Sequence, residues 1–318
     1  MSPKRPAFEE LPFREGDPPY SAWGIWGEGD ELGTLNFLID DVVAGAARLE
    51  IRTGLRISLD WPLDKLQHPS FGRQTFHREL VAKAAKVAND DVITMNTQSS
   101  SQWDGLRHFA YQKDKKFYGG RTNADFHDDP TSTDLGIQHM ATKSICGRAI
   151  LIDHVSYALK RGIYKDAVSH HSIPLSELKE ALADQKTEVL PGDILFIRSG
   201  FTRTFEAMTD DQHKQVAASP PCFTGVQTGE EMAKWIWDSK FSAVAGDAPS
   251  FEAWPQTQDI ALHEILLAGW GCPIGELFDL EQLAEHCKNV GRWSFFLASV
   301  PLKIPGGAAS PPNAVAIF

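Results

Sequence analysis

The stretch Thr97–Gln112, TQSSSQWDGLRHFAYQ, sets Gln98, Gln102, Asp104 and His108 close together, just after the apolar VITM of residues 92–95. A polar cluster in that place reads as a site at the end of a buried strand. Side chains alternate along an extended chain, which puts Gln98, Gln102 and Asp104 on one face. A helical turn after Asp104 would return His108 to the same side. Two amide oxygens, a carboxylate and an imidazole suit a divalent ion. The other reading is a turn whose glutamines and aspartate tie down backbone groups, beside a satisfied buried histidine.

A second stretch, Asp259–Leu280 (DIALHEILLAGWGCPIGELFDL), adds to the first. His263 lies in an apolar helical pattern with Ile260 and Leu267 on its face, and a buried imidazole there needs a partner. Glu276 follows a turn made by Trp270, Gly271 and Pro273. A histidine on an apolar face is most often a core residue. Beside Asp104 and His108, however, His263 and Glu276 extend the candidate ligand set.

Around these stretches, short β-branched runs bounded by Gly, Pro or Asp recur: LRISLDW (55–61), VITMNTQ (92–98), AILIDHV (149–155), DILFIRSG (193–200), FSAVAGD (241–247), WSFFLASVPL (293–302) and AVAIF (314–318). Each reads as a strand. Between them IDDVVAGAARLE, SELKEALADQ with Ser176 as N-cap, EEMAKWIWDS, DIALHEILLAG and DLEQLAEHCK carry helical spacing. The last opens with Asp279 and Gln282 in capping-box spacing. Strands and helices mixed along one chain predict a single α/β domain. The charged, Pro-rich residues 1–18 read as an N-terminal arm lying over a surface, leaving 19–318 as the domain.

The chain has 318 residues, 42% of them apolar and 23% charged, with nine Trp, which is a globular composition. A formal charge of −11 argues against a nucleic-acid partner. The apolar runs fall short of the ~20 residues a membrane-spanning helix needs. Four irregularly spaced cysteines, Cys146, Cys222, Cys272 and Cys287, read as free thiols in a reducing compartment, so a cytoplasmic protein is expected. Three patterns fail. GEGDELG (27–33) lacks a preceding strand, HEILL (263–267) lacks the second zinc-protease histidine, and no G-x-S-x-G occurs.

The residues quoted resemble the cyclase family that includes kynurenine formamidase, isatin hydrolase and trans-dienelactone hydrolase. Its pattern is His-x-Gly-Thr-His-x-Asp-x-Pro-x-His. Laid on QSSSQWDGLRH, two metal-binding histidines fall on Gln98 and Gln102, the aspartate on Asp104, and the proton-transfer histidine on His108. The family's downstream pair matches His263 and Glu276. Further blocks, SAWGIWGEGDELGTLNFL, GIQHMATKSICGRAILID, GDAPSFEAWP and PLKIPGGAASPPNAVAIF, extend the likeness over nearly the whole chain. The resemblance implies a swivelling β/β/α fold and a homodimer or homotetramer.

It further implies one divalent ion, zinc or manganese, held by Gln98, Gln102, Asp104, His263 and Glu276. Amide oxygens are weaker donors than imidazoles, so the two glutamines favour one ion over two. His108, beside Asp104, would move the proton, and Trp103, Trp23, Trp26 and His139 are candidates to line a substrate pocket. The expected reaction is hydrolysis of an amide, lactam or lactone carbonyl in a small cyclic or aryl substrate. Two rivals stand beside it: a metal-assisted lyase, dehydratase or isomerase, and a non-catalytic small-molecule-binding paralogue.

Overall fold

A computed structural model describes residues 5–258 and 260–318. The first four residues of the expected arm, and Asp259 at the head of the second stretch, lie outside the described residues. Nine strands form one sheet in the order Arg56–Ser58, Ala314–Ile317, Ser294–Ser299, Ile145–Asp153, Ile194–Arg198, Ala243–Gly246, Ile274–Glu276, Gln102–Asp104 and Ala309–Ser310. The four strands from Ile145–Asp153 to Ile274–Glu276 run parallel, and those on either side join antiparallel.

Both faces of the sheet are covered, which is why its central strands read as unbroken apolar runs. Ala149 and Leu151 belong to one buried cluster with Trp103, Phe196, Phe278 and Phe295. Ile150 and Ile152, one residue out of phase, belong to another with Ile197, Val244, Trp237 and Trp270. Helices Asp40–Glu50, Leu175–Gln185, Glu230–Asp238 and Glu281–Val290 form where helical spacing was read. Among the described residues no helix is long and apolar enough to cross a membrane.

Some expectations need correction. VITM does not enter the sheet: residues Asn89–Thr94 pair only with His77–Ala82 in a hairpin, where Val92 and Ile93 are more than half exposed. Helix Leu175–Gln185 has Pro174 at its N-cap position, which leaves Ser176 inside its first turn. The capping box at Asp279 does not form; Asp279 accepts instead from the Glu281 N–H at 3.2 Å. The segment after His263 winds as a π-helix over Glu264–Gly269. Such wider turns are frequent at functional sites.

The described part of the expected arm packs against the domain. Phe8 is buried and stacks on Tyr20 at 5.1 Å, and Trp237 Nε1–H donates to the Pro6 carbonyl at 3.1 Å.

Candidate metal and substrate site

Two distant segments meet because the strands Gln102–Asp104 and Ile274–Glu276 pair antiparallel, with Glu276 opposite Gln102 and Ile274 opposite Asp104. Trp103 points to the other face, and the middle of the partner strand makes room for it. A Cβ on Gly275 would lie 2.7 Å from the Ala245 Cβ and 2.9 Å from the Trp103 ring. Gln102 and Asp104 are thereby held fully buried on the site face.

Gln98 does not share that strand, contrary to expectation. It sits in a turn that its neighbours pin down: the Gln98 N–H donates to Asn96 Oδ1 at 2.9 Å, and Ser101 Oγ–H donates to the Leu277 carbonyl at 2.6 Å. The turn brings the Gln98 amide back over the strand, where Nε2–H donates to Asp104 Oδ1 at 2.7 Å. Its nitrogen also lies 3.1 Å from each ring nitrogen of His108. His108 returns to the site through a single turn closed by its N–H to the Gly105 carbonyl at 3.0 Å, with no helix following.

Gln102 Nε2–H donates to Glu276 Oε2 at 2.7 Å and to Asp104 Oδ1 at 3.3 Å. Both glutamines therefore turn their N–H groups, not their oxygens, toward the carboxylates. Swapping N and O would set an amide oxygen against carboxylate oxygens, so the hydrogen-bond network selects this orientation.

His263 lies between two glutamates. Its Nδ1 is 2.6 Å from Glu252 Oε2 and its Nε2 is 3.2 Å from Glu276 Oε1. Burial alone would depress the imidazole pKa, but the charge and hydrogen bond of Glu252, then those of Glu276, outweigh it and raise the value well above normal. Burial lifts the Glu276 carboxyl, and nearby Asp104 lifts it further. Burial pushes His108 the other way, toward the neutral imidazole, against the pull of Asp104.

These donors fit a divalent ion. Ligand atoms of Asp104, His108 and His263 all lie within 4.8 Å of one another. Among the described residues, buried Asp104 Oδ2 and Gln102 Oε1 have no hydrogen-bond partner, an uncommon state for lone pairs away from water. Glu252 on Nδ1 is the arrangement that fixes the tautomer and ring direction of a ligating histidine.

A cavity of about 290 Å³ opens over this cluster. Phe71, Phe109 and Trp254 wall it, and Gln98, His108, Glu252, His263 and Glu276 form its polar end. The expected pocket residues are elsewhere, two of the indoles being buried in the core. Trp103 is fully buried with its N–H on Ser299 Oγ at 2.9 Å, and Trp23 donates to the Ala268 carbonyl. Trp26 packs on Phe37, and His139 pairs with Glu31 at 2.8 Å. Sequence reasoning missed Glu252, Arg73 and the aromatic walls. The GDAPSFEAWP block held Glu252 and Trp254, but nothing in their spacing set them apart.

The Cyclase family model matches residues 43–253. No curated protein matches the chain. A crystal structure described as a novel cyclase is 32% identical, covering 94% of this chain and 99% of that one with a TM-score of 0.83. An isatin hydrolase bound to the product analogue thioisatinate is 15% identical, covering 86% and 96% with a TM-score of 0.58. Isatin hydrolase A from Ralstonia solanacearum is 17% identical, covering 88% and 97% at 0.54. At such identities the last two show a shared fold alone. Together these likenesses bear out the expected swivelling β/β/α fold.

Proposed function

Because the chain belongs to the cyclase family, we propose that it is a metal-dependent hydrolase opening an amide, lactam or lactone carbonyl of a small cyclic or aryl substrate. One observation carries the reading. Asp104, His108 and His263 converge where His108 and His263 line the polar end of an aromatic-walled cavity, and among the described residues buried Asp104 Oδ2 has no hydrogen-bond partner. Asp104, His263 and Glu276 would hold one zinc or manganese ion, with the Gln102 oxygen as a further donor. When bound, the ion supplies Lewis acidity, which polarises a carbonyl and brings the pKa of water from 15.7 to about 7.

The chain's own groups do the rest. His108, kept neutral by burial, accepts a proton from the attacking water and returns it to the leaving nitrogen or oxygen. Gln98, hydrogen-bonded to Asp104 and against the His108 ring, holds base and carboxylate in register. Glu252 aims the His263 ring at Glu276. Phe71, Phe109 and Trp254 exclude bulk water and accept a planar substrate. In this reading residues 19–318 act as one hydrolase domain under an arm of residues 1–18, in the cytoplasm.

Chelation followed by restoration with zinc or manganese tests the proposal. Activity on aryl formamides or unsaturated lactones should vanish and return, and activity indifferent to both treatments would refute it. Uptake of labelled oxygen from water separates hydrolysis from the lyase or isomerase alternative.

A second reading rests on the hydrogen bonds just described. Two glutamine amides donate to Asp104 and Glu276, and the His263 ring lies between Glu252 and Glu276, so each carboxylate already has a hydrogen-bond partner from the chain itself, as a small-molecule-binding paralogue would need. Elemental analysis decides between them: less than about a tenth of an equivalent of any divalent metal favours binding without catalysis.

A further inference from the structure

The cavity is polar at its inner end and apolar along its walls, and among the described residues lining it Arg73 is the one Lys or Arg. Its Nη1–H donates to the Gln98 carbonyl at 2.8 Å, and its Cζ lies 5.2 Å from the Phe71 ring centroid. Among the described residues its guanidinium forms no ion pair and no other hydrogen bond. A guanidinium carries five N–H donors in a planar fork, so most of this one's capacity is unspent beside the space a ligand would fill.

We propose that Arg73 is the anion-recognising residue of this pocket, and that the substrate is a planar ring compound carrying a carboxylate. The inference deepens the hydrolase reading and rests on it only for the reaction, not for the binding.

Charge is distributed so as to orient such a molecule. The buried carboxylates Glu252 and Glu276 line the inner end, 2% exposed, with fully buried Asp104 near Glu276, whereas Arg73 is half-buried next to the exposed Phe71. An entering carboxylate is repelled from the inner end and accepted at the mouth, where Arg73 can bind both of its oxygens. The neutral carbonyl then goes inward, toward His108. The link from Arg73 to the Gln98 backbone fixes the two ends of the pocket relative to each other. Its charge also reaches the inner end, bearing on both His108 and Glu276. The cavity volume of about 290 Å³ sits at the small end of ligand pockets, which favours a compact ring over an extended chain.

Calorimetry on the full, metal-loaded chain with phenylacetate and its neutral isostere phenylacetamide tests this without any turnover. Wild type should bind the acid about tenfold tighter than the amide, the scale of one hydrogen-bonded charge. Arg73→Gln should bring the two within about twofold, and Arg73→Lys, which keeps the charge, should retain part of the preference. Equal binding by wild type, a preference surviving in Arg73→Gln, or none left in Arg73→Lys would overturn the assignment. A carboxylate held by the metal alone would give the second of these. Failure of every lactone and amide to react would sink the hydrolase proposal and leave this result standing, so the two failures are separable.

Discussion

Glu252 converts His263 from a core imidazole into a directed one. Its Oε2 is 2.6 Å from Nδ1, its Oε1 takes the His263 backbone N–H at 3.0 Å, and it is 2% exposed. Removing its charge while keeping its shape, as Glu252→Gln, should weaken metal binding about 10–100-fold, read by competition with a chromogenic chelator. Unchanged affinity would mean that His263 does not ligate. His108 makes the complementary case. Its Nε2 stands 3.8 Å from Asp104 Oδ2, too far for a hydrogen bond. His108→Ala should cut turnover about 10²–10⁴-fold while the protein keeps its metal; loss of metal along with activity would make His108 a ligand instead. Because burial lowers the His108 pKa, the base form persists below the ordinary value of 6.5. The rate should therefore hold as pH falls to 6.5 and decline only below it, whereas a fall already under way at pH 7 would argue against His108 as the base. Asp104, His108, His263 and Glu276 were legible because polar groups embedded in apolar runs must find partners. Glu252 was not, since its value depends on where His263 comes to rest. The tryptophans misled because an indole beside a pocket and one in a core leave the same trace in a sequence.

The strand pair Gln102–Asp104 and Ile274–Glu276 is the element on which the site depends, and each strand is only three residues long. That brevity hid the second from pattern reading, which needs several alternations to recognise a strand, and let the first be read as one extended run with Gln98. The long central strands were legible for the opposite reason: burial on both faces leaves runs such as Ala149–Asp153 almost wholly apolar. VITM misled by composition, since β-branched residues mark a strand without saying whether anything covers it. The short pair stays in register through Gly275. Gly275→Ala pushes a methyl against Ala245, Phe278 and Trp103, of which the first two would lie at 2.7 and 2.6 Å. The substitution should cost about 1–3 kcal/mol in denaturant unfolding and weaken metal binding with it, since overpacking in a tight core moves backbone. Stability unchanged within about 0.5 kcal/mol would show that the strands have slack the distances do not suggest.

At the scale of the molecule, the hairpin His77–Ala82 with Asn89–Thr94 stands apart from the nine-stranded sheet. Every residue of its second strand is exposed, and Leu80, Val92 and Ile93 are 58%, 53% and 52% exposed. A two-stranded ribbon is at best marginally stable alone in water, and its apolar side chains gain nothing until something covers them. Leu80 and Ile93 share one face in the pairing Arg78↔Ile93 and Leu80↔Asp91, while Val92 lies on the other. Both faces thus carry apolar residues, as suits a ribbon clasped by neighbours and not one laid on its own domain. We therefore expect a second copy of the chain to cover it, in a homodimer or homotetramer. Light scattering at micromolar concentration should return twice or four times the chain mass of 35.2 kDa. Leu80→Glu with Ile93→Glu should shift that mass toward the monomer, because two charges buried without partners oppose association. The hairpin leads through residues 73–76 to Arg73 and Phe71 at the cavity, so the monomeric variant should also bind ligand more weakly while its far-ultraviolet spectrum stays native. A wild-type monomer, or a double variant that assembles as before, would leave the ribbon without a role in association.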